Sequence, residues 1–320
     1  MQAKIIALAT GGCIAALSPA AADASCGSAF CAVNTDWNAQ GIHTQPGARG
    51  ELRYEYINQD QLRAGKEKVS PGQIPRDHEE ISTKNQALFG TFDYNFASGW
   101  GVSAVVPVVK RDHLHIETDT GEPEQWRFTN LGDIRVAGRY QRQLGTADPA
   151  RPQVVGFLFG LKLPTGKTDV ANAAGEVAER SLQPGTGTTD LFVGAYYQLQ
   201  LLQHGLSFFA QGGYAPPLNS YHEYRPGSRV TLDAGLRYSV TQDFALLLQL
   251  NALWRGRDSG LQAEPEDSGG TYVFVSPGVS YMVTPSVQLF GIVQLPVYQY
   301  VNGVQLTADW GATAGIGFRF

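Results

Sequence analysis

Beyond its N-terminus this 320-residue chain has no long apolar run. Nothing after residue 22 approaches the ~20 consecutive apolar residues of a membrane helix, so a helical span is excluded there. A surplus of positive charge is also missing: 24 Lys and Arg stand against 29 Asp and Glu, which argues against nucleic acid as a partner. Charge of either sign is scarce at 17%, the balance expected where lipid-facing and lumen-facing residues alternate. Cysteine is down to three residues, none in a C-x-x-C pair, so a thioredoxin-like redox site is excluded. The glycine-rich stretch Gly185–Thr189 is followed by neither a helical pattern nor a completing Lys, so it is no phosphate loop. No Ser has a local His arrangement that singles it out as a nucleophile.

What the N-terminus does have is a secretory signal. Residues 1–22 hold Lys4, an apolar run from Ile5 to Leu17, and the small cluster Ser18–Ala22, with cleavage after Ala22 or Ala24. Cys13 follows Thr10-Gly11-Gly12, a poor lipoprotein box, and is expected to leave with the signal. Residues 23–47 read as a strand-free periplasmic segment carrying Cys26 and Cys31. In an oxidising periplasm these two are expected to bond to each other. Their C-x4-C spacing also permits a metal or redox pair, with His43 the nearest further ligand.

Period-two alternation fills the rest. In Val304–Phe320 the residues Val304, Leu306, Ala308, Trp310, Ala312, Ala314, Ile316, Phe318 and Phe320 fall on one face, and polar residues and glycines on the other. That is a strand with one greasy face, long enough to cross a bilayer at a tilt. About twelve such segments follow one another over 48–320. Long and short connections alternate, with a tight turn at Gly303 where a long loop is due. The expected fold is all-β: a transmembrane antiparallel up-and-down barrel of about 12 strands, in the outer membrane of a Gram-negative bacterium, with both termini in the periplasm. The terminal Phe320 resembles the closing signal of such barrels, which implies barrel-assembly machinery as a partner.

Parity assigns faces. Outward aromatics near strand ends suit two interfacial girdles: Tyr94, Phe96, Trp100, Trp126, Tyr140, Tyr238, Trp254, Tyr281, Phe318 and Phe320. The inward set is charged. Its acids are Asp93, Asp133, Asp190, Asp233 and Asp309. Its bases are Arg111, Arg127, Arg135, Arg139, Lys162, Arg229, Arg237, Arg255 and Arg319. These either pair across strands or line a conducting path. The hairpin turning at Ala97-Ser98 pairs residues summing to about 195. It sets Glu79, His113, His115 and Glu117 on the inward face at the outer rim, with His78 and Glu80 facing the other way. That inward set could bind a transition metal or form a salt-bridged rim.

Three patches carry a family likeness: LGDIRVAGRYQ from Leu131, GLKLPTG from Gly160, and PGTGTTDLFVGAYYQ from Pro184. Their order and spacing resemble a group of outer-membrane transporters named after the meta-cleavage pathway of phenol degradation. The resemblance covers about a third of the chain. It implies passage of small aromatic or hydrophobic compounds, and a long external loop flanked by the LPTG and GTG patches. The expected function is therefore a channel or transporter for a small solute, with no cofactor and no enzymatic activity. A metal-linked barrel using the His/Glu rim or the Cys pair is the alternative, and an enzyme or a structural barrel is a third.

Overall fold

A computed structural model describes residues 46–75, 78–145, 151–201 and 205–320. The signal segment, Cys26 and Cys31 lie outside the described residues. Among the described residues every regular element is a strand: β1 (Gly47–Gln59), β2 (Gln61–Ala64), β3 (Glu67–Lys68), β4 (His78–Asn95), β5 (Trp100–Glu117), β6 (Pro123–Leu131), β7 (Arg135–Leu144) and β8 (Gln153–Lys162). They continue with β9 (Asp190–Gln200), β10 (Leu206–Ala215), β11 (Arg229–Ser239), β12 (Phe244–Arg255), β13 (Gly270–Thr284), β14 (Val287–Val301), β15 (Val304–Thr307) and β16 (Gly311–Arg319).

Thirteen of these form one antiparallel sheet in which β1 pairs with both β4 and β16, and the β4–β5 pairing closes the ring. β6 and β7 are two halves of a single wall strand, both paired with β5, so the barrel has twelve staves. Outward positions are apolar and bare. On β12, Leu246, Leu248 and Leu250 are exposed, while Ala245, Leu247, Gln249 and Asn251 between them are buried. An apolar band of this extent is not sustained against water, and lipid removes the cost, at about 1.5–3 kcal/mol per leucine buried. Aromatic pairs mark its two edges. Trp100 packs on Tyr140 at 5.0 Å near the short turns, and Tyr56 on Trp310 at 5.6 Å near the long loops.

Three sequence expectations fail for local reasons. Residues 304–320 are not one strand. β15 leaves the wall and pairs with β2 in a separate three-stranded sheet, β15-β2-β3, and both of its faces are buried. The apparent tight turn at Gly303 is thus the start of the long loop that the loop rhythm requires, and Asp309 lies out on that loop, paired with Lys68.

Second, Trp126, expected in the outer girdle, faces inward, as does Phe128 two residues on. Three residues, Gly132–Ile134, stand against Val106 and Pro107 of β5 where the partner changes from β6 to β7. Pro107 has no N–H to give the ladder, and the one-residue surplus inverts parity across the break. Arg127 therefore points away from the lumen, opposite Asp112, with which it is hydrogen bonded at 2.9 Å. Third, a bulge between Glu80 and Ser82 inverts the outer end of β4. His78 and Glu80 are buried on the inner side, in place of Glu79.

Candidate functional site: the lumen and its inward-folded loop

The lower wall is a lattice of paired polar groups. Arg49, Glu51, Arg53 and Glu55 alternate down the inner face of β1. Glu51 bridges Arg49 and Arg53, and Arg53 Nε meets Glu55 at 3.1 Å. Asp93 and Arg139 form a buried two-point pair at 3.0 and 3.1 Å. Asp233 accepts from Asn251 at 2.7 Å, which in turn accepts from Ser276 at 2.7 Å. Such satisfaction is what makes buried charge tolerable. The β1 charge column was not foreseen. Its signal is plain in the sequence as charge at every second residue from Arg49 to Glu55.

Inner aromatics lie flat on this wall because glycines sit beneath them. Tyr196 covers Gly156, and Phe209 covers Gly235. A methyl group on either glycine would collide with the ring, so the glycines keep the rings out of the passage.

The three sequence motifs meet at Asp133. Its carboxylate accepts from Gly166 N, Thr186 N and Lys162 Nζ, each at 3.0 Å. Lys162 also meets Asp190 at 3.0 Å. Gly166 and Gly185 approach so closely that a Cβ on Gly185 would stand 2.5 Å from the Gly166 carbonyl oxygen. Loop 163–189 is thereby fastened to the wall at both of its ends.

Between those ends the loop turns inward. Arg111 donates to the carbonyls of Ser181 (3.1 Å) and Leu182 (2.6 Å), and its Nε donates to Asn85 at 2.7 Å. Trp126 Nε1 donates to the Glu176 carbonyl at 2.9 Å. Leu182 and Ala178 pack with Trp126, Leu62, Val304 and Leu306 in an apolar cluster that joins the loop, the wall and the β15-β2 sheet. A second apolar layer lies on inward positions: Ile57, Leu253, Tyr272, Phe274, Val301 and Ala308. The Tyr272 and Phe274 rings are parallel, 6.4 Å apart.

The remaining expected lumen residues are spread around the ring. Arg135 lies on the same face of β7 as Arg139 and is exposed. Arg237 is half-buried and donates to Ser239 at 2.7 Å, and Arg229 sits across from Arg255. Arg255 is buried and grips Asp258 of the outer loop at 2.7 and 2.8 Å. Asp258 also accepts from Tyr224 at 2.9 Å; burial, with the nearby carboxylate, raises that phenol, which stays the donor. Arg319 is exposed at the opposite end of the barrel.

At the outer rim the imidazoles converge. His78 stacks on His115 at 4.5 Å, and His113 meets His115 edge-on at 5.5 Å. Thr83 Oγ1 lies 2.8 Å from His113 Nδ1. Glu117 meets His115 at 3.2 Å, alongside Glu124 at 3.3 Å. Glu179 of the inward loop also reaches His78. Sequence reading could not place Glu179, because only the folded loop brings it here.

A closed twelve-stave wall with a lipid-facing apolar band defines a β-barrel of the Gram-negative outer membrane. The family described as "Putative MetA-pathway of phenol degradation" matches residues 82–314, and the chain belongs to that family. Among solved structures, an outer-membrane channel from Pseudomonas putida F1 is similar in fold: TM-score 0.64 at 15% identity, covering 86% of this chain and 96% of that one. A TodX deltaS2S3 mutant monoaromatic hydrocarbon channel matches with TM-score 0.48 at 11% identity, covering 86% and 91%. The KdgM porin matches with TM-score 0.42 at 11% identity, covering 84% and 99%. No curated protein matches the chain.

Proposed function

We propose that this barrel is a channel for a small hydrophobic solute, an aromatic compound by preference. The observation that carries the reading is the apolar layer of Ile57, Leu253, Tyr272 and Phe274 on inward positions of the wall, packed closed in this structure, with Leu247, Phe290 and Ile292 as further inward apolar side chains. An aqueous pore for ions gains nothing from such a layer, whereas an apolar solute that parts it loses little on leaving water. Parallel aromatic rings suit a flat ligand. The polar wall below, with Arg135 exposed, would form the periplasmic stretch of the path. Loop 163–189 would govern entry.

The barrel is not proposed to be an enzyme. Residues 1–22 are proposed to be a signal, residues 23–47 a periplasmic segment bridged by Cys26 and Cys31, and Phe320 the mark for assembly machinery. Uptake of a labelled monoaromatic compound into proteoliposomes tests the channel. Uptake should exceed that of empty vesicles and fall in Phe274→Asp. Uptake equal to that of empty vesicles would end the reading.

A further inference from the structure

We propose that His78, His115 and Glu179 bind one divalent transition-metal cation of the zinc class, and that this cation ties loop 163–189 to the barrel wall. The three residues come from β4, β5 and the loop, and each offers a ligand atom within 4.8 Å of the others. His78 Nε2 stands 3.5 Å from Glu179 Oε1 and 3.6 Å from Glu80 Oε1. Those separations are long for hydrogen bonds. They are close to the roughly 3.3 Å edge of a tetrahedron with metal–ligand bonds of about 2.0–2.1 Å.

The donors fit such an ion. Two imidazoles and a carboxylate suit zinc, copper or nickel, whereas magnesium and calcium want oxygen alone. Glu117 and Glu124 flank His115 Nε2 as carboxylates that orient a ligating imidazole do. Both are partly exposed and open a way in from outside.

A second observation points the same way. His113, wholly buried beside the trio, has no hydrogen-bond partner at Nε2, and neither does buried His115 at Nδ1. Orphaned buried nitrogens cost about 1–3 kcal/mol each. A cation bound at His115 Nδ1 takes up that orphaned nitrogen and balances the surrounding carboxylates together.

The test uses the purified barrel in detergent, stripped by chelator and titrated calorimetrically with zinc. One equivalent should bind, magnesium should not, and cobalt should give a visible band of nitrogen–oxygen ligation. His78→Ala and Glu179→Gln should each weaken zinc binding at least about tenfold. Heat-modifiable migration on gels confirms that each variant is folded; Glu179→Gln, on the loop and isosteric, leaves the wall untouched. A Cys26→Ser/Cys31→Ser variant and His222→Ala should bind as the parent does. Zinc should also slow tryptic cleavage after Arg180 in the parent and not in Glu179→Gln. Undiminished binding in folded His78→Ala and Glu179→Gln, or loss of binding only in the cysteine variant, overturns the site. Binding without protection of Arg180 overturns the tie.

Discussion

Across the β8–β9 pair Gly156 stands opposite Tyr196, and a Cβ on that glycine would come within 2.1 Å of the tyrosine ring. The ring fills the space a side chain would take, and its hydroxyl donates to Gln141 at 2.7 Å, which holds it along the wall. Gly156→Val should therefore swing the ring into the lumen without unfolding the barrel. Single-channel conductance should fall in that variant and recover in Gly156→Val/Tyr196→Ala. Equal conductance in parent and Gly156→Val would mean that the ring does not bound the passage.

Asp93 and Arg139 hold each other in a buried setting, where removal of one partner strands the other. Asp93→Ala should cost about 3–5 kcal/mol in urea unfolding from liposomes. Asp93→Ala/Arg139→Met should cost less than Asp93→Ala alone, because the stranded guanidinium is gone. A double variant less stable than the single would show that the arginine has worth of its own, beyond the pair.

The strands and their greasy faces were legible because a lipid-facing surface forces strict alternation, as Leu246, Leu248 and Leu250 show. Single-residue surpluses were not. Nothing in Glu79-Glu80-Ile81 announces a bulge, yet that bulge decides whether Glu79 or Glu80 enters the rim. Pro107 did announce trouble in β5, but its effect falls on the neighbouring strand, where Arg127 and Trp126 exchange sides. β15 kept its alternation after leaving the wall, so periodicity alone joined it to β16. Glu179 and Leu182 reach the lumen through a loop with no period at all. The motifs around Asp133, Gly166 and Thr186 were visible as motifs, but their shared task of fastening that loop appears only when Asp133 is seen to accept from both ends of it.

Arg135 and Arg127 separate lumen from rim. Arg135 shares its face with buried Arg139, whereas Arg127 pairs with Asp112 on the outer side. Arg135→Ala/Arg237→Ala should shift ion preference toward cations in reversal-potential measurements, since inward charge sets selectivity. Arg127→Ala should leave the reversal potential where it was. A shift from Arg127→Ala as large as that from the lumen pair would refute the facing.

Phe320 is exposed, and its backbone N–H donates to the Ala48 carbonyl at 3.0 Å. Little of the barrel's packing depends on that side chain. If it serves assembly, deleting it should lower the amount in the outer-membrane fraction while total synthesis and the stability of refolded protein hold. Unchanged membrane levels would remove assembly from its roles.

Asp133 offers the sharpest test of the loop as a gate. Its carboxylate binds backbone N–H groups on both sides of loop 163–189, at Gly166 and Thr186. Asp133→Ala removes those acceptors, while Lys162 keeps Asp190 as a partner at 3.0 Å, so no charge is stranded. The wall keeps its ladders, because Asp133 itself lies between β6 and β7. The loop should then open on its remaining ties, among them Thr165 Oγ1 to the Gly132 carbonyl, the Arg111 and Trp126 contacts and the apolar cluster around Leu182. Trypsin should cut after Lys167 and Arg180 sooner, and uptake and conductance should rise together. Faster cleavage with unchanged conductance would show that the loop moves without gating. Unchanged cleavage would show that Arg111 and the apolar cluster around Leu182 hold the loop by themselves, and Arg111→Ala on the same background should then release it.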